Sequence, residues 1–136
     1  MLDLLEYAVK KAEKQGASQA EAYFYGADLL RTGIEKKQVK ISEKKHGAGI
    51  GVRVAVKKKD GFSIGFAYLT NLTKKAADDT VKQATKVASF KKHDPDFKSF
   101  QEHKPTKTVE KIYDKHVAKI EPEKIVDLAT DLIKTV

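Results

Sequence analysis

The chain has 136 residues, 27 of them basic and 19 acidic, which gives a net charge of +8, and it has no cysteine. The length fits one domain, and the lack of cysteine excludes disulfides and thiolate metal sites. No apolar run approaches a membrane span, and Asp3 and Glu6 stand where a signal peptide needs basic residues, so we expect a cytoplasmic protein.

The first two predicted elements differ in hydrophobic period. Apolar residues at three- and four-residue spacing predict a helix over residues 2–15, followed by Gly16 as a C-terminal signal. From Glu21 the period changes to two, which predicts a strand running to Ile34. A polar turn at 35–37 then leads to a short second strand over 38–42.

A β-hairpin is predicted over residues 48–69. Strand 50–56 alternates valine and isoleucine with small or charged residues, and strand 62–69 alternates aromatic with small residues. The Asp60-Gly61 pair between them is typical of a tight turn. Thr70-Asn71-Leu72-Thr73 then offers capping groups for a helix over 73–90, whose stripe of small residues suits close packing on a sheet.

The C-terminal third is predicted to be less regular. Pro95 and Pro105 indicate a linker over 91–121, and Pro122 starts a last helix. Its apolar stripe, Ile125 to Ile133, is still running where the sequence stops, which suggests truncation. We therefore expect a 1–90 α-β4-α N-terminal domain, a 91–121 linker, and a 122–136 helix leading into a missing C-terminal domain.

The fold class that follows is α+β. We expect a four-stranded, mostly antiparallel sheet covered on one face by two helices, then a linker and a C-terminal helix. The second face of the sheet carries glycine, alanine and Arg53. It is either solvated or covered by a partner element.

The sequence offers no residue that we assign to catalysis, cofactor binding or metal binding. No histidine is followed by glutamate or lies four residues from another, as a helical zinc site requires. The histidines are His46, His93, His103 and His116. We interpret them as solvated loop residues.

Other polar patterns have structural explanations. Asp78 and Asp79 point about 100° apart on a helix, so they favour a role at the helix dipole over paired acid–base work. Asp94 and Asp96 flank a proline and suit a turn. The glycines at 47, 49 and 51 run into a strand and not into a helix, which favours close packing over a phosphate loop.

The basic residues leave a second function open. They cluster as Lys36-Lys37-Lys40, Lys44-Lys45, Lys57-Lys58-Lys59, Lys74-Lys75 and Lys91-Lys92. Such groups could bind nucleic acid, although lysine at turns and helix ends is also the ordinary solvating choice. Only Arg31 and Arg53 offer the planar fork that binds phosphate in two places.

The order of segments resembles the N-terminal domain of the TldD/PmbA family, also called modulators of DNA gyrase. The resemblance rests on the strand Gly47–Val54 (GAGIGVRV), the return Asp60–Ala67 (DGFSIGFA) and the helix start Thr70–Leu72. It continues less closely at Tyr113–Val117, ahead of Pro122.

The resemblance implies a non-catalytic domain of a cytoplasmic peptide-processing protein. TldD-type members are zinc metallopeptidases whose ligands, on a His-Glu-x-x-x-Asp helix with a distant cysteine, lie in a C-terminal domain; PmbA-type members lack that motif. No catalytic residue is carried over, and no cofactor is expected in this chain. The implied partners are a metallopeptidase-like C-terminal domain, a second subunit in a homo- or heterodimer, and a peptide or unfolded protein substrate. The alternative is a stand-alone basic module that binds nucleic acid.

Overall fold

A computed structural model of the chain describes residues 1–102, 104, 107 and 109–135. In chain order it contains α1 (Leu2–Lys14), β1 (Gln19–Glu35), β2 (Gln38–Lys58), β3 (Gly61–Leu69) and α2 (Lys74–Phe90). A short 3₁₀ turn (Val117–Lys119) and α3 (Pro122–Thr135) follow. The strand order is β1-β2-β3. Tight turns join each pair of neighbours, so the sheet is antiparallel.

The prediction of four strands is wrong: the described residues form a three-stranded sheet. The predicted second and third strands are one continuous strand, β2, because Glu43 to Gly47 stay extended. This part of β2 belongs to a two-stranded ribbon whose residues are mostly exposed, so no apolar alternation is needed to keep it extended. Cross-strand polar pairs occur there instead, Arg31 with Glu43 at 3.9 Å and His46 with Asp28 at 2.5 Å.

The chain divides into two compact units. The first comprises Met1–Gly26 and the described part of Ala48–His103, and the second comprises Ala27–Gly47 and the described part of Lys104–Val136. The residues of the predicted linker are therefore divided between the two units, since those up to Glu102 belong to the first unit.

The core of the first unit lies between the two helices and one face of the sheet. Val52 and Val54 of β2 are fully buried against α1 and α2. Small residues allow close approach: a Cβ added at Gly65 of β3 would lie 1.9 Å from the carbonyl oxygen of Ala84. The face of the sheet that α1 and α2 cover is called the helix face below. The buried helix residues are Ala8, Ala12, Ala77, Thr80, Val81, Ala84 and Ala88.

Polar contacts fix the two helices. Of the capping groups that the sequence offers at 70–73, Thr73 caps α2, because its hydroxyl accepts a hydrogen bond from the Ala76 amide at 3.2 Å. Asp78 accepts a 2.9 Å hydrogen bond from the Tyr7 hydroxyl and pairs with Lys11 at 3.1 Å. Its carboxylate therefore links α2 to α1. Asp78 lies beyond the first turn of α2, whereas the predicted role at the helix dipole would require a position within that turn.

The second unit contains the distal ribbon of β1 and β2 together with α3. Lys36 and Lys37 both have positive φ, 49° and 56°, which is the geometry of a two-residue type I′ turn and confirms the predicted polar turn. Lys44 of the ribbon pairs with Glu121 at 2.8 Å. In α3, Ala129 is buried, whereas Leu128 and Leu132 of the predicted stripe are more than half exposed.

Candidate interaction surface

The face of the sheet opposite the helices, within the first unit, is called the open face. Alternation along β2 places Gly51, Arg53 and Ala55 on it. Their cross-strand partners on β3 are Tyr68, Phe66 and Ile64, so aromatic side chains lie directly beside small or charged ones.

Aromatic side chains form part of the exposed surface of the open face. Tyr23 is 53% exposed, Phe66 is 45% and Tyr68 is 71%. Tyr23 lies across Gly51, since a Cβ added at that glycine would lie 2.3 Å from the Tyr23 ring. Glycine is thus required at position 51 to let the tyrosine lie flat. The glycine-rich strand holds an aromatic side chain, in agreement with the predicted close packing.

Arg53 occupies the centre of the open face. Its Nε donates to Glu21 Oε1 at 2.5 Å, and its Nη2 contacts the same oxygen. The guanidinium carbon lies 5.0 Å from the centre of the Phe100 ring, in cation–π range. These contacts satisfy much of the hydrogen-bonding capacity of Arg53 within the chain.

A segment that follows α2, Asp94–Phe100, covers one end of the open face and is called the strap below. The Asp94 amide donates to the Phe62 carbonyl at 2.8 Å, and Phe62 stacks edge-on with Phe97 at 5.8 Å. The ring of Phe97 also packs against Phe100 at 5.1 Å, and the Phe100 amide donates to Gln19 Oε1 at 2.8 Å. The chain therefore shows how this face holds an aromatic segment.

The histidines do not assemble a site in the described part of the chain. His46 pairs with Asp28, both side chains being more than three-quarters exposed. His93 lies near Gly61, and the His116 backbone amide donates to Asp114 Oδ1 at 2.7 Å. His103 lies outside the described residues, as does Pro105 of the predicted linker.

A zinc site does not fit the donors that the structure describes. No group of three His, Asp or Glu side chains in residues 1–102, 104, 107 and 109–135 could hold a metal ion. The pair of His46 and Asp28 supplies two donors in open solvent, and a zinc ion held by protein takes three or four.

The carboxylates have structural partners. The Asp96 amide donates to Asp94 Oδ1 at 3.0 Å, which is the turn that the sequence predicts. Asp78 has a lowered pKa because the Tyr7 hydroxyl donates to it and because Lys11 lies beside it. The same hydrogen bond raises the pKa of Tyr7.

Sequence reasoning did not single out the aromatic residues of the open face. The alternation on β3 placed Phe62, Ile64, Phe66 and Tyr68 together, and this is the signal that could have found them. It could not say which face the helices cover. Phe97 and Phe100 stood in a predicted linker, where no pattern indicated that they fold back.

The fold defines the class of domain, a small α+β layer with helices on one face of an antiparallel sheet. A family profile described as PmbA/TldA metallopeptidase domain 1 matches residues 20–88, about half of the chain. The chain therefore belongs to the TldD/PmbA family and carries the first domain of that family, as the resemblance implied.

A solved structure has the same fold. TldE from Thermococcus kodakarensis matches with a TM-score of 0.79 at 22% identity, over 97% of this chain and 28% of the TldE chain. The chain thus spans little more than a quarter of the length of that protein. The search of curated proteins found no match. In the part of the chain that the structure describes, no helix is long and apolar enough to cross a membrane.

Proposed function

We infer that the chain is a non-catalytic first domain of a TldD/PmbA-type protein, and that it supports peptide processing carried out by another domain. The observation that carries this inference is the family match over residues 20–88, which covers the sheet and most of α2. The open face adds a physical reason, because contiguous exposed aromatic side chains on a small domain mark interaction sites. In this proposal the open face serves binding and not chemistry.

The rest of the proposal follows from the family. A metallopeptidase-like domain is the expected partner, zinc is expected there in TldD-type relatives, and the assembly is expected to be a cytoplasmic homo- or heterodimer. The chain's own side chains hold no zinc in this proposal. Its contribution is to bind and orient protein segments.

The proposal is tested by metal and peptidase measurements on the 136-residue chain. The chain is incubated with zinc, dialysed and examined by elemental analysis, and then assayed with an unfolded, fluorescently quenched casein. We expect far less than one zinc per chain and no cleavage. A TldD-type C-terminal domain, produced separately, is the positive control for both measurements. One tightly held zinc per chain, or cleavage that a chelator stops, would contradict the proposal.

A second candidate function, binding of nucleic acid, has one specific observation in its favour. Tyr23, Phe66 and Tyr68 are exposed on a sheet of a chain with a net charge of +8, and bases stack on such side chains. Titration of a labelled oligothymidine at two salt concentrations tests it. Phosphate binding predicts an affinity that falls steeply with salt. No binding at the lower salt concentration would remove this candidate.

A further inference from the structure

The open face is divided into a covered and an uncovered part. Ala55 is completely buried at the end where the strap crosses, whereas Tyr68 is 71% exposed at the other end. Both parts place a large apolar residue of β3 opposite a small residue of β2, Ile64 opposite Ala55 in the covered part and Tyr68 opposite Gly51 in the uncovered part. The uncovered part is thus continuous with a surface that already holds an aromatic segment of the chain.

The outer edge of β3 runs along the uncovered part. The Phe62 carbonyl points away from β2, since it accepts from Asp94. Backbone groups alternate in direction along a strand, so those of Ile64, Phe66 and Tyr68 also point outward. Among the described residues, no hydrogen bond to these outward groups is formed, and β3 is the last strand of the sheet.

The strap begins strand pairing on this edge and then stops. Asp94 forms a single antiparallel bridge with Phe62. Because the bridge is antiparallel, the residues after Asp94 run past Gly61, where β3 begins, so the pairing does not continue along β3. The remaining edge keeps its donors and acceptors together with the aromatic side chains beside them.

We propose that the edge of β3 from Ile64 to Tyr68, with the adjoining open face, docks an extended segment of a partner protein by strand addition. The main chain of the segment pairs with the outward groups of β3, and every second side chain packs on Phe66 and Tyr68. Aromatic or aliphatic residues suit those positions, as Phe97 and Phe100 of the strap do in the covered part. Acidic residues flanking the segment suit a chain of net charge +8.

The observations favour polypeptide over nucleic acid at this surface. Arg53, the only arginine of the open face, already binds Glu21 and stacks on Phe100. Glu21 also places a negative charge where phosphates would have to approach. An extended polypeptide uses the backbone groups of β3, for which a nucleic acid strand has no matching periodic partner.

The test uses the 136-residue chain and a fluorescein-labelled synthetic peptide. In the peptide, phenylalanine alternates with threonine, and aspartates stand at both ends. Two further peptides carry N-methyl groups on alternate amides, one in each phase. We expect saturable binding, a loss of about tenfold or more in affinity with one N-methyl phase, and little change with the other, because an added strand uses every second amide.

A matched pair of variants locates the site. Tyr68→Thr should raise the Kd of the unmethylated peptide about tenfold. Tyr113→Thr, which changes a tyrosine that is 75% exposed outside the sheet, should leave it unchanged. Both side chains are exposed, so neither change disturbs the core.

Four outcomes overturn the proposal: no binding, equal loss with both N-methyl phases, equal effects of the two variants, or oligothymidine binding that Tyr68→Thr abolishes. A dimer of the chain, seen by sedimentation and lost in Tyr68→Thr, would instead assign the edge to a second copy. The proposal rests on the proposed non-catalytic role, and the two fail separately. Mass spectrometry that finds the bound peptide cleaved contradicts the non-catalytic role and leaves the docking site standing, whereas an intact peptide that does not bind contradicts only the docking.

Discussion

The two faces of the sheet in the first unit are built from different side chains. On the helix face, small residues such as Gly65 and Ala84 let the elements approach until their backbones nearly touch. On the open face, the larger Phe66 and Tyr68 remain exposed. The two sets alternate along the same strand, β3, so neighbouring residues serve opposite purposes.

This difference shows how one strand can serve both stability and binding. Small side chains bury themselves against the chain's own helices, and the loss of fit there costs folding free energy. In the docking proposal above, the large aromatic side chains provide contact area for another segment, and changing them should weaken its binding. The predictions below test this division, from the largest expected effect on stability to the smallest.

The largest effect is expected for Gly65→Ala on the helix face. The added Cβ would lie 1.9 Å from the Ala84 oxygen and 2.7 Å from the Ala88 nitrogen, both backbone atoms of α2 that cannot rotate away. We expect the free energy of unfolding to fall by about 3 kcal/mol, measured by urea denaturation followed by circular dichroism. The matched control is Gly47→Ala, where the described chain leaves the space open. It should change stability by less than about 0.5 kcal/mol; equal losses in the two variants would show that β-propensity, and not the contact with α2, is at work.

The next-largest effect on stability is expected at Asp78, which links the two helices that cover the helix face. This effect depends on pH. The Tyr7 hydroxyl, and after it Lys11, lowers the pKa of Asp78. A lowered carboxyl pKa stabilises the fold above its ordinary value of about 4, and this contribution is lost as the pH falls through the lower folded value. Asp78→Asn should therefore reduce the Tm near neutral pH, and the difference from the wild type should vanish in strong acid.

The contribution of Tyr7 to stability depends on pH in the opposite direction, and it is lost at alkaline pH. The pKa of Tyr7 is raised by its hydrogen bond to Asp78, so its contribution is present below the ordinary value of about 10 and is lost as the pH rises through the higher folded value. Melting curves from acid to alkaline pH thus give a plateau between two declines. The control is Asp79→Asn, a neighbouring exposed carboxylate that pairs with Lys82 at 3.8 Å. A wild-type profile that Asp78→Asn leaves unchanged in shape would contradict the link between the helices.

The elements with strong local signals were predictable from the sequence. The α1 helix, the hairpin around Gly61 and the cap at Thr73 follow from periodicity and turn chemistry, which act within a few residues. The count of strands was not predictable, because Glu43 to Gly47 carry no apolar alternation. They stay extended through pairing with a distant part of β1.

The candidate surface depended on non-local information in the same way. Alternation grouped Phe66 with Tyr68, but the covering of one face by α1 and α2 is a property of the folded chain. The position of the strap was even harder to predict from the sequence, since Phe97 and Phe100 show no periodic pattern and contact residues of the sheet that are distant in the chain. The resemblance to the TldD/PmbA family supplied the domain but not the surface.

The smallest effect on stability is expected on the open face itself, for Arg53→Lys. Lysine keeps the charge but lacks the planar fork that binds Glu21 and stacks on Phe100. Because the side chains of Arg53 and Glu21 are 49% and 34% exposed, their pairing is screened by solvent, and we expect the free energy of unfolding to change by less than about 1 kcal/mol.

The strap should nevertheless loosen. Hydrogen exchange at the Phe100 amide, which is bound to Gln19, should accelerate in Arg53→Lys, while the amides of β2 that pair with β3 stay protected. Arg31→Lys is the matched control, since Arg31 pairs with Glu43 in the second unit at 3.9 Å. Faster exchange in both variants, or in neither, would contradict the role of Arg53. If exchange accelerates only in the strap, the contacts that hold the strap on the open face can be released while the helix face stays folded. A surface that exchanges one bound segment for another requires this property.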